Sequence, residues 1–567
     1  MLPLTKEGIY PGLPVYAEVP RRSHQLGLRH VLLTLLAASA TAYVLLGSLY
    51  RPNEFEVYTC GSPSCARNPA FLVKAKHGAV ASENELCSDI GVKTLKKGGN
   101  AVDAAISTTL CIGVTNMFSS GIGGGGFMTV RLPPLQSNLS SISSSKVMTI
   151  DFREVAPAAS REKMYVGQSD KARWGGLAVG VPGELRGLKK AHELWGKLKW
   201  SDLVRPNAEL AKGWKVSKEL ERRIEMFATP MHNLPEWKAI FAPNGCLLRE
   251  GDIISRTALS RTLETIASEG PDAFYEGPIA ESILARIRGT GGIMTQDDLS
   301  NYEVKVQPAL EGTYRGRKIY TTHAPTSGPV LLHMLNLLEK YEDFAADGRT
   351  SLNVHRLIEI IKYPNFMERA DAKHIDEIPT KAYADYIFPN ITDGFTHSPE
   401  YYNPVYDVPT DHGTSHSSVL DKDGMAVAIT STVNLIFGSM VLDPVTGVIL
   451  NDESAGPTQF CKDNYPQPGK RPLSSMTPTI VEDEAGDFSI AVGASGGSRI
   501  FPAVFQVLAN LEWGLDASAA VEYGRVHDQL FPTFVDVDNV YPSEIVEDLK
   551  NRGHNITSTY MQGLVCL

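Results

Sequence analysis

The segment from Gly413 to Thr432 constrains the fold of this chain more than any other. Gly413-Thr-Ser-His-Ser-Ser-Val-Leu420 reads as a strand, and Met425-Ala-Val-Ala-Ile-Thr-Ser-Thr432 alternates, with Met425, Val427 and Ile429 on one face. Between them lies Asp421-Lys-Asp-Gly424, and Asp-Gly between two such runs is a strong hairpin signal. If Leu420 opposes Met425, Thr414 opposes Ser431. A slip of one residue puts Thr432 opposite Thr414 instead. Either register brings the Thr432 hydroxyl close to Thr414.

That proximity admits two readings. Thr414 can simply begin an ordinary strand. Alternatively, the Gly413-Thr414 bond is of the kind that an N-terminal nucleophile enzyme breaks in its own backbone. Cleavage there frees an α-amine on the residue that carries the hydroxyl. Such an amine has a pKa near 8, so it can take the hydroxyl proton close to neutral pH. The residues alone leave both readings open.

The other end of the chain speaks to topology. Val31 to Tyr50 is an uncharged apolar run, long enough at about 1.5 Å per residue to span a hydrocarbon layer of about 30 Å. Arg21, Arg22 and Arg29 precede it, which predicts a cytosolic tail over residues 1–29, an uncleaved anchor over 30–50 and a polar stalk over 51–72. The remainder then lies across the membrane, in a single-pass type II arrangement facing the lumen of a vacuole or the outside of the cell. A cleaved signal peptide is the competing reading. Seven cysteines and sequons at Asn138, Asn390 and Asn555 fit an oxidising, glycosylating compartment. A net charge of −10 argues against a nucleic-acid partner.

Two helices are expected at about Glu83–Leu95 and around Val102, Ala105, Ile106 and Leu110, with Lys-Lys-Gly-Gly-Asn as the break between them. This helical hairpin brings Cys87 near Cys111 and predicts a disulfide. Ser119-Ser-Gly-Ile-Gly-Gly-Gly-Gly-Phe127 contains the spacing GxGxxG, but a helix precedes it and a strand follows it. That inverts the dinucleotide-binding order and points to a passage where backbones touch. Residues 148–152 read as a buried strand, and residues 160–400 as mostly helical with proline-marked turns.

Several motifs occur in a fixed order: Gly121 to Gly126, Asp151-Phe-Arg-Glu-Val-Ala-Pro157, Gly175 to Glu184, Asp411-His-Gly-Thr-Ser-His416, Thr430 to Gly438, Pro468 to Ser475 and Gly493-Ala-Ser-Gly-Gly497. Together they resemble the γ-glutamyltransferase (glutathione hydrolase) family from about residue 73 to near the C-terminus. The resemblance implies an α/β fold, the αββα sandwich of N-terminal nucleophile (Ntn) hydrolases. It implies self-cleavage between Gly413 and Thr414, giving a large subunit that ends at 413 (residues 73–413 without anchor and stalk) and a small subunit 414–567 that stay together as a heterodimer. Thr414 is then the nucleophile that takes the γ-glutamyl group from glutathione or its conjugates and passes it to water, an amino acid or a dipeptide. Thr432 supports the nucleophile, and the amides of Gly496 and Gly497 form the oxyanion hole. Arg153, Ser474 and Ser475 hold the substrate α-carboxylate, while Asn434 and Glu453 hold its α-ammonium. No metal or organic cofactor is implied. His416 reads as a packing residue, not a base. Cys87 and Cys111 match the spacing of a disulfide in animal members.

Three departures stand out. After Asn451-Asp-Glu453 the family continues Met-Asp-Asp-Phe, whereas this chain reads Ser454-Ala-Gly-Pro and carries Gly456 in place of an ammonium-binding aspartate. Pro364 interrupts a helix that is normally continuous. Relatives continue beyond the equivalent of Gln562 with a strand and Asp-Pro-Arg, and this chain reads Val565-Cys-Leu567. They motivate a second hypothesis, a membrane glycoprotein of the same fold without turnover. A third, an Ntn acylase of different acyl preference, is disfavoured because such an acyl group has no use for Arg153 and the paired serines.

Overall fold

The structure is a computed structural model that describes residues 72–134, 145–363, 375–402, 413–453, 465–559 and 565–567. The Val31–Tyr50 run, the Asn138 sequon, Pro364 and Gly456 lie outside these residues. No helix among the described residues is long and apolar enough to cross a membrane.

Strand β1 (Gly78–Ser82) leads into helices α1 (Glu85–Lys96) and α2 (Ala101–Thr115), then strands β2 (Gly125–Leu132) and β3 (Lys146–Asp151). The expected break between the helices is present. Gly98 takes a left-handed φ of 94°, its amide returns to Leu95 O at 2.9 Å, and Asn100 caps α2 in a capping box with Asp103. The hairpin of α1 and α2 carries the Cys87–Cys111 disulfide. Every residue of α2 is buried, so it is a central helix rather than a surface one.

Helix α3 (Glu184–Trp195) opens the middle of the chain, which is largely helical but, besides a short pair of strands at Trp214–Lys215 and Ile253–Ile254, contributes β4 (Lys305–Pro308), β5 (Leu310–Tyr314) and β6 (Arg317–Thr321) to the sheets described below. The β5–β6 hairpin is closed by Arg315 and Gly316, with φ of 46° and 81°. A two-residue turn with both φ positive matches the twist of paired strands, and Arg-Gly is a weak sequence signal for it. Helices α4 (Gly328–Leu338) and α5 (Ser351–Lys362) follow. Helix α5 stops two residues before Pro364, as a proline break requires. Beyond residue 413 come β7 (Gly413–Asp421), β8 (Ala426–Asn434), β9 (Thr479–Glu482), β10 (Phe488–Ala494), helix α6 (Ile500–Glu512) and β11 (Val565–Cys566).

Two antiparallel sheets result, in the orders β1-β7-β8-β2-β3-β4 and β11-β10-β9-β6-β5. They face each other across a layer that includes Ala426, Ala428, Ile480 and Ala491, with Leu420 and Phe488 packed against them. Helix α2 covers the outer face of the first sheet, and α4 and α6 cover that of the second. This is a four-layer αββα sandwich. The chain before residue 414 and the chain after it both supply strands to each sheet, so neither half completes a sheet alone.

The β7–β8 register follows the slipped alternative. Leu420 opposes Ala426 and Ser431 opposes Ser415, because the connection is a three-residue loop, Lys422-Asp423-Gly424, with Gly424 at φ 83°. A three-residue hairpin loop ends on a left-handed residue. Asp421 fixes the loop: its Oδ1 accepts the amides of Asp423 and Met425 at 2.9 and 3.1 Å, and its Oδ2 accepts that of Ala101 at 3.0 Å. Replacing Asp421 by alanine removes three bonds to one buried carboxylate. It is expected to destabilise the chain by about 2–4 kcal/mol in urea titration, with Asp421→Asn recovering part. A loss below about 0.5 kcal/mol would mean that the turn does not depend on this side chain.

Candidate active site

Thr414 and Thr432 lie on the inner face of the first sheet, at the end of β7 and β8. Their hydroxyl oxygens are 3.3 Å apart. Both are buried, Thr414 at 5% exposure and Thr432 at 0%. A bulge follows, so that Gly413 pairs with Asn434, which adopts φ 77°. The bulge turns Asn434 toward the site. Thr414 Oγ1 donates to the Gly413 carbonyl at 2.8 Å and Thr432 Oγ1 donates to the same oxygen at 2.5 Å. Thr432 Oγ1 also accepts the Asn434 amide at 2.8 Å, which directs its own proton toward that carbonyl. Two hydroxyls therefore converge on the carbonyl of the bond that precedes Thr414. Position 413 must be glycine for this: a Cβ there would sit 2.8 Å from the Phe118 carbonyl oxygen and 3.1 Å from Ser119 Cα.

The glycine run is the close passage expected from its position between a helix and a strand. A Cβ on Gly124 would lie 2.0 Å from Thr432 O, and one on Gly126 2.1 Å from Thr430 O. The bare backbone lets β2 lie against β8 directly behind Thr432, and no phosphate-binding helix N-terminus follows it.

His416 is packed as expected. Its Nδ1 meets Thr430 Oγ1 at 2.7 Å and its Nε2 meets Ser418 Oγ at 3.1 Å. Burial lowers its pKa to about 3, so it is neutral and turned away from Thr414. Gly493 leaves room for the ring, since a Cβ there would be 2.2 Å from it.

Arg153 follows strand β3. It is 3% exposed and carries most of the nearby positive charge. Its Nη1 donates to Asn434 Oδ1 at 2.6 Å, and its Nη2 donates to Glu453 Oε1 at 2.8 Å and to Leu473 O at 3.1 Å. Its Nε has no partner among the described residues. Asp151 accepts the Arg153 amide at 3.0 Å, and Tyr302 donates to its carbonyl at 2.8 Å. Arg153, Asn434 and Glu453 are thus one hydrogen-bonded group. Ser474 and Ser475 stand beside it, half-buried, after Leu473. The Ser474 hydroxyl accepts the Met476 amide at 3.2 Å, so in this state the serines reach Arg153 only through the Leu473 carbonyl. Gly496 and Gly497 have left-handed φ of 117° and 61° and follow β10. Asn390 and Asn555 are exposed.

Sequence reasoning passed over a set of buried carboxylates. Glu154 accepts from Asn434 Nδ2 at 3.1 Å. Burial lifts its pKa to about 7, with Arg153 opposing and Glu453 adding to the rise. Glu184, at the start of α3, accepts the Ser431 hydroxyl, and burial lifts it to about 8. Burial also raises Asp452 and Glu453, Arg153 opposing in the case of Glu453. The neighbours of the motif residues, Glu154 beside Arg153 and Asp452 beside Glu453, were the available signal.

Away from this site, His355, Glu359 and His554 form the one group among the described residues with metal-ligand geometry. Most of its bonding is taken up within the protein. Glu359 accepts from Lys362, Thr396 and Tyr402 at 3.0, 2.7 and 2.5 Å, and the two imidazoles bond each other at 2.8 Å. The Lys362 ammonium already pairs with the Glu359 carboxylate, so the group reads as a packing network.

The sandwich superposes on a crystal structure of cephalosporin acylase from Bacillus halodurans with a TM-score of 0.76, 24% identity, and coverage of 90% of this chain and 96% of that one. That likeness concerns the fold alone. Helicobacter pylori gamma-glutamyltranspeptidase matches with a TM-score of 0.53 and 29% identity over 60% of this chain and 100% of that one. The family model described as gamma-glutamyltranspeptidase matches residues 87–565. Glutathione hydrolase proenzyme 2 of Schizosaccharomyces pombe is 37% identical over 549 residues, 92% of this chain and 85% of the relative. Glutathione hydrolase 3 of Arabidopsis thaliana is 37% identical over 492 residues, 82% and 75% respectively. The chain belongs to the gamma-glutamyltranspeptidase family.

The raised carboxylates have a consequence for stability. Unfolded glutamate ionises near pH 4.5, whereas Glu184 keeps its proton in the fold until about pH 8. Between these values the native state binds more protons than the unfolded state, so its stability falls as pH rises. Glu184→Gln removes that ionisation. Urea midpoints measured from pH 5 to 8 are expected to decline less steeply in the variant than in the parent. Parallel declines would show that Glu184 does not hold the proton.

Proposed function

We propose that this protein cleaves its own backbone between Gly413 and Thr414, then hydrolyses glutathione and its conjugates and transfers their γ-glutamyl group. The observation that carries this reading is the convergence of the Thr414 and Thr432 hydroxyls on the Gly413 carbonyl. Attack of Thr414 Oγ1 on that carbonyl carbon turns the amide into an ester and releases the α-amine. Water then opens the ester, leaving a carboxylate on Gly413 and a free Thr414. In turnover the α-amine takes the hydroxyl proton, Oγ1 attacks the γ-carbonyl of the donor, and the cysteinylglycine amine leaves with a proton. Water or an acceptor amine then attacks the γ-glutamyl ester and restores the threonine.

The charges around Arg153 suit a γ-glutamyl donor, whose far end carries both a carboxylate and an ammonium. The guanidinium, with Nε unpartnered among the described residues, takes the carboxylate through parallel bonds, aided by Ser474 and Ser475. Released from Arg153, Asn434 and Glu453 turn to the ammonium. The Gly496 and Gly497 amides are assigned to the oxyanion. Purified full-length protein is expected to run as two chains on a denaturing gel, the smaller beginning Thr-Ser-His-Ser, and Thr414→Ala to stay uncut and inactive. An uncut parent with full turnover would refute the mechanism. Arg153→Ala is expected to raise the Michaelis constant for a γ-glutamyl amide about ten- to a hundredfold, with Arg153→Lys between. An unchanged constant would move the carboxylate site elsewhere.

The reading extends to location. The charge-free run Val31–Tyr50 and the arginines before it support a type II anchor with the catalytic part lumenal or extracellular, where the sequons at Asn138, Asn390 and Asn555 meet glycosylation. Protease added to sealed vesicles is expected to trim only residues 1–29. Digestion of the catalytic part with the tail protected would reverse the orientation.

A further inference from the structure

Glu83 lies one residue beyond the end of β1, next to the nucleophile strand. Its Oε2 accepts the Ser415 hydroxyl at 3.0 Å, and its carboxylate also faces the His416 amide and the Ser495 hydroxyl, both of which favour its charged form. Ser415 directly follows Thr414, and Ser495 directly precedes Gly496. One carboxylate therefore grips both segments whose spacing decides whether the hydroxyl and the oxyanion donors can act on one carbonyl. A third segment joins through Ser415, whose Oγ lies 2.8 Å from Ser119 Oγ, and Ser119 is part of the backbone against which Gly413 is seated.

No cationic side chain among the described residues pairs with Glu83, and its buried Oε1 has no hydrogen-bond partner among them. A shielded carboxylate without a counter-ion is costly to keep, so charge pairing does not account for it. Nor does turn geometry: the N-cap of α1 is supplied by Asn84. What the side chain does is lie between the start of β7 and the turn after β10, which belong to different sheets.

We propose that Glu83 is a positioning residue that sets the distance between the Thr414 hydroxyl and the amides of Gly496 and Gly497. The proposal rests on the reading of Thr414 as nucleophile. It places the burden on kcat rather than on binding, because Arg153, Asn434, Glu453 and the two serines are held by other contacts. Misplacing a reacting group by about 1 Å costs on the order of a hundredfold in rate.

The test uses full-length protein, a γ-glutamyl chromogenic amide, and a thermal melt to confirm that each variant is folded. Glu83→Ala is expected to lower kcat about a hundredfold while the Michaelis constant stays within about threefold, and to slow self-cleavage, which uses the same hydroxyl. Glu83→Gln still offers a carbonyl and an amide to the two serine hydroxyls and is expected to recover at least about tenfold of that loss. Ser415→Ala and Ser495→Ala are expected to add little to Glu83→Ala, since each removes one arm of the same bridge. A folded Glu83→Ala variant with kcat within about twofold of the parent overturns the proposal. So does a Glu83→Gln variant no better than alanine, a Michaelis constant that rises as far as kcat falls, or full additivity with the serine variants. Inactivity of the parent, or turnover by Thr414→Ala, would instead overturn the nucleophile reading itself, so the two failures are told apart.

Discussion

The site depends on the register of one hairpin. Thr414 meets Thr432 because the loop after Asp421 holds three residues. With four, Thr414 would face Ser431, and since side chains alternate along a strand, the alanines at 426 and 428 would exchange places with Val427 and Ile429. In the layer between the sheets, Ala426, Ala428 and Ala491 pack beside Ile480, so bulkier side chains at 426 and 428 would force the sheets apart. The same packing brings His416 against Gly493 and the turn after β10 within reach of Glu83. Register, sheet spacing and catalytic spacing are one constraint.

A second constraint is electrostatic. Arg153 stands among Glu154, Asp452 and Glu453, all held above the ordinary carboxylate range by burial. One guanidinium does not neutralise three buried carboxylates, so part of the set keeps its protons. Such an arrangement suits a guest that brings one charge of each sign. On the proposed reading its carboxylate would replace Glu453 on Arg153, and its ammonium would offer Glu453 a new partner. Exchange of partners within a dry site costs less than creating them, because the polar groups are already out of water and oriented.

The chemistry was largely legible in the sequence, and for local reasons. Asp423-Gly424 with its flanking alternation placed Thr414 and Thr432 together, Gly98 and Asn100 marked the break between two helices, and the position of the glycine run between helix and strand excluded a nucleotide site. What was not legible depended on distant partners. The strands at 305–321 are set by an Arg-Gly turn of low sequence specificity and by pairing with β9, some 160 residues away. Glu83, Glu154 and Glu184 look like ordinary surface glutamates until the fold buries them, and Glu184 meets Ser431 only across 247 residues. The hairpin signal also left the register open by one residue, because loop length depends on whether Asp421 pairs across the turn.

On the proposed reading, one set of groups around the Gly413–Thr414 bond suffices for two reactions. The Gly413 carbonyl already accepts both hydroxyls, and on the proposed reading a γ-glutamyl carbonyl is handled by the same hydroxyls later. A site whose first substrate is its own backbone cannot place that carbonyl freely; the β7–β8 pairing and the Phe118–Ser119 backbone fix it. Geometry that the fold imposes on Gly413 is therefore inherited by Thr414 in turnover, provided the strand does not move when the bond opens. The pairing of Ser415 with Ser431 and the grip of Glu83 on Ser415 and His416 lie just beyond the cut, where they continue to hold the new N-terminus.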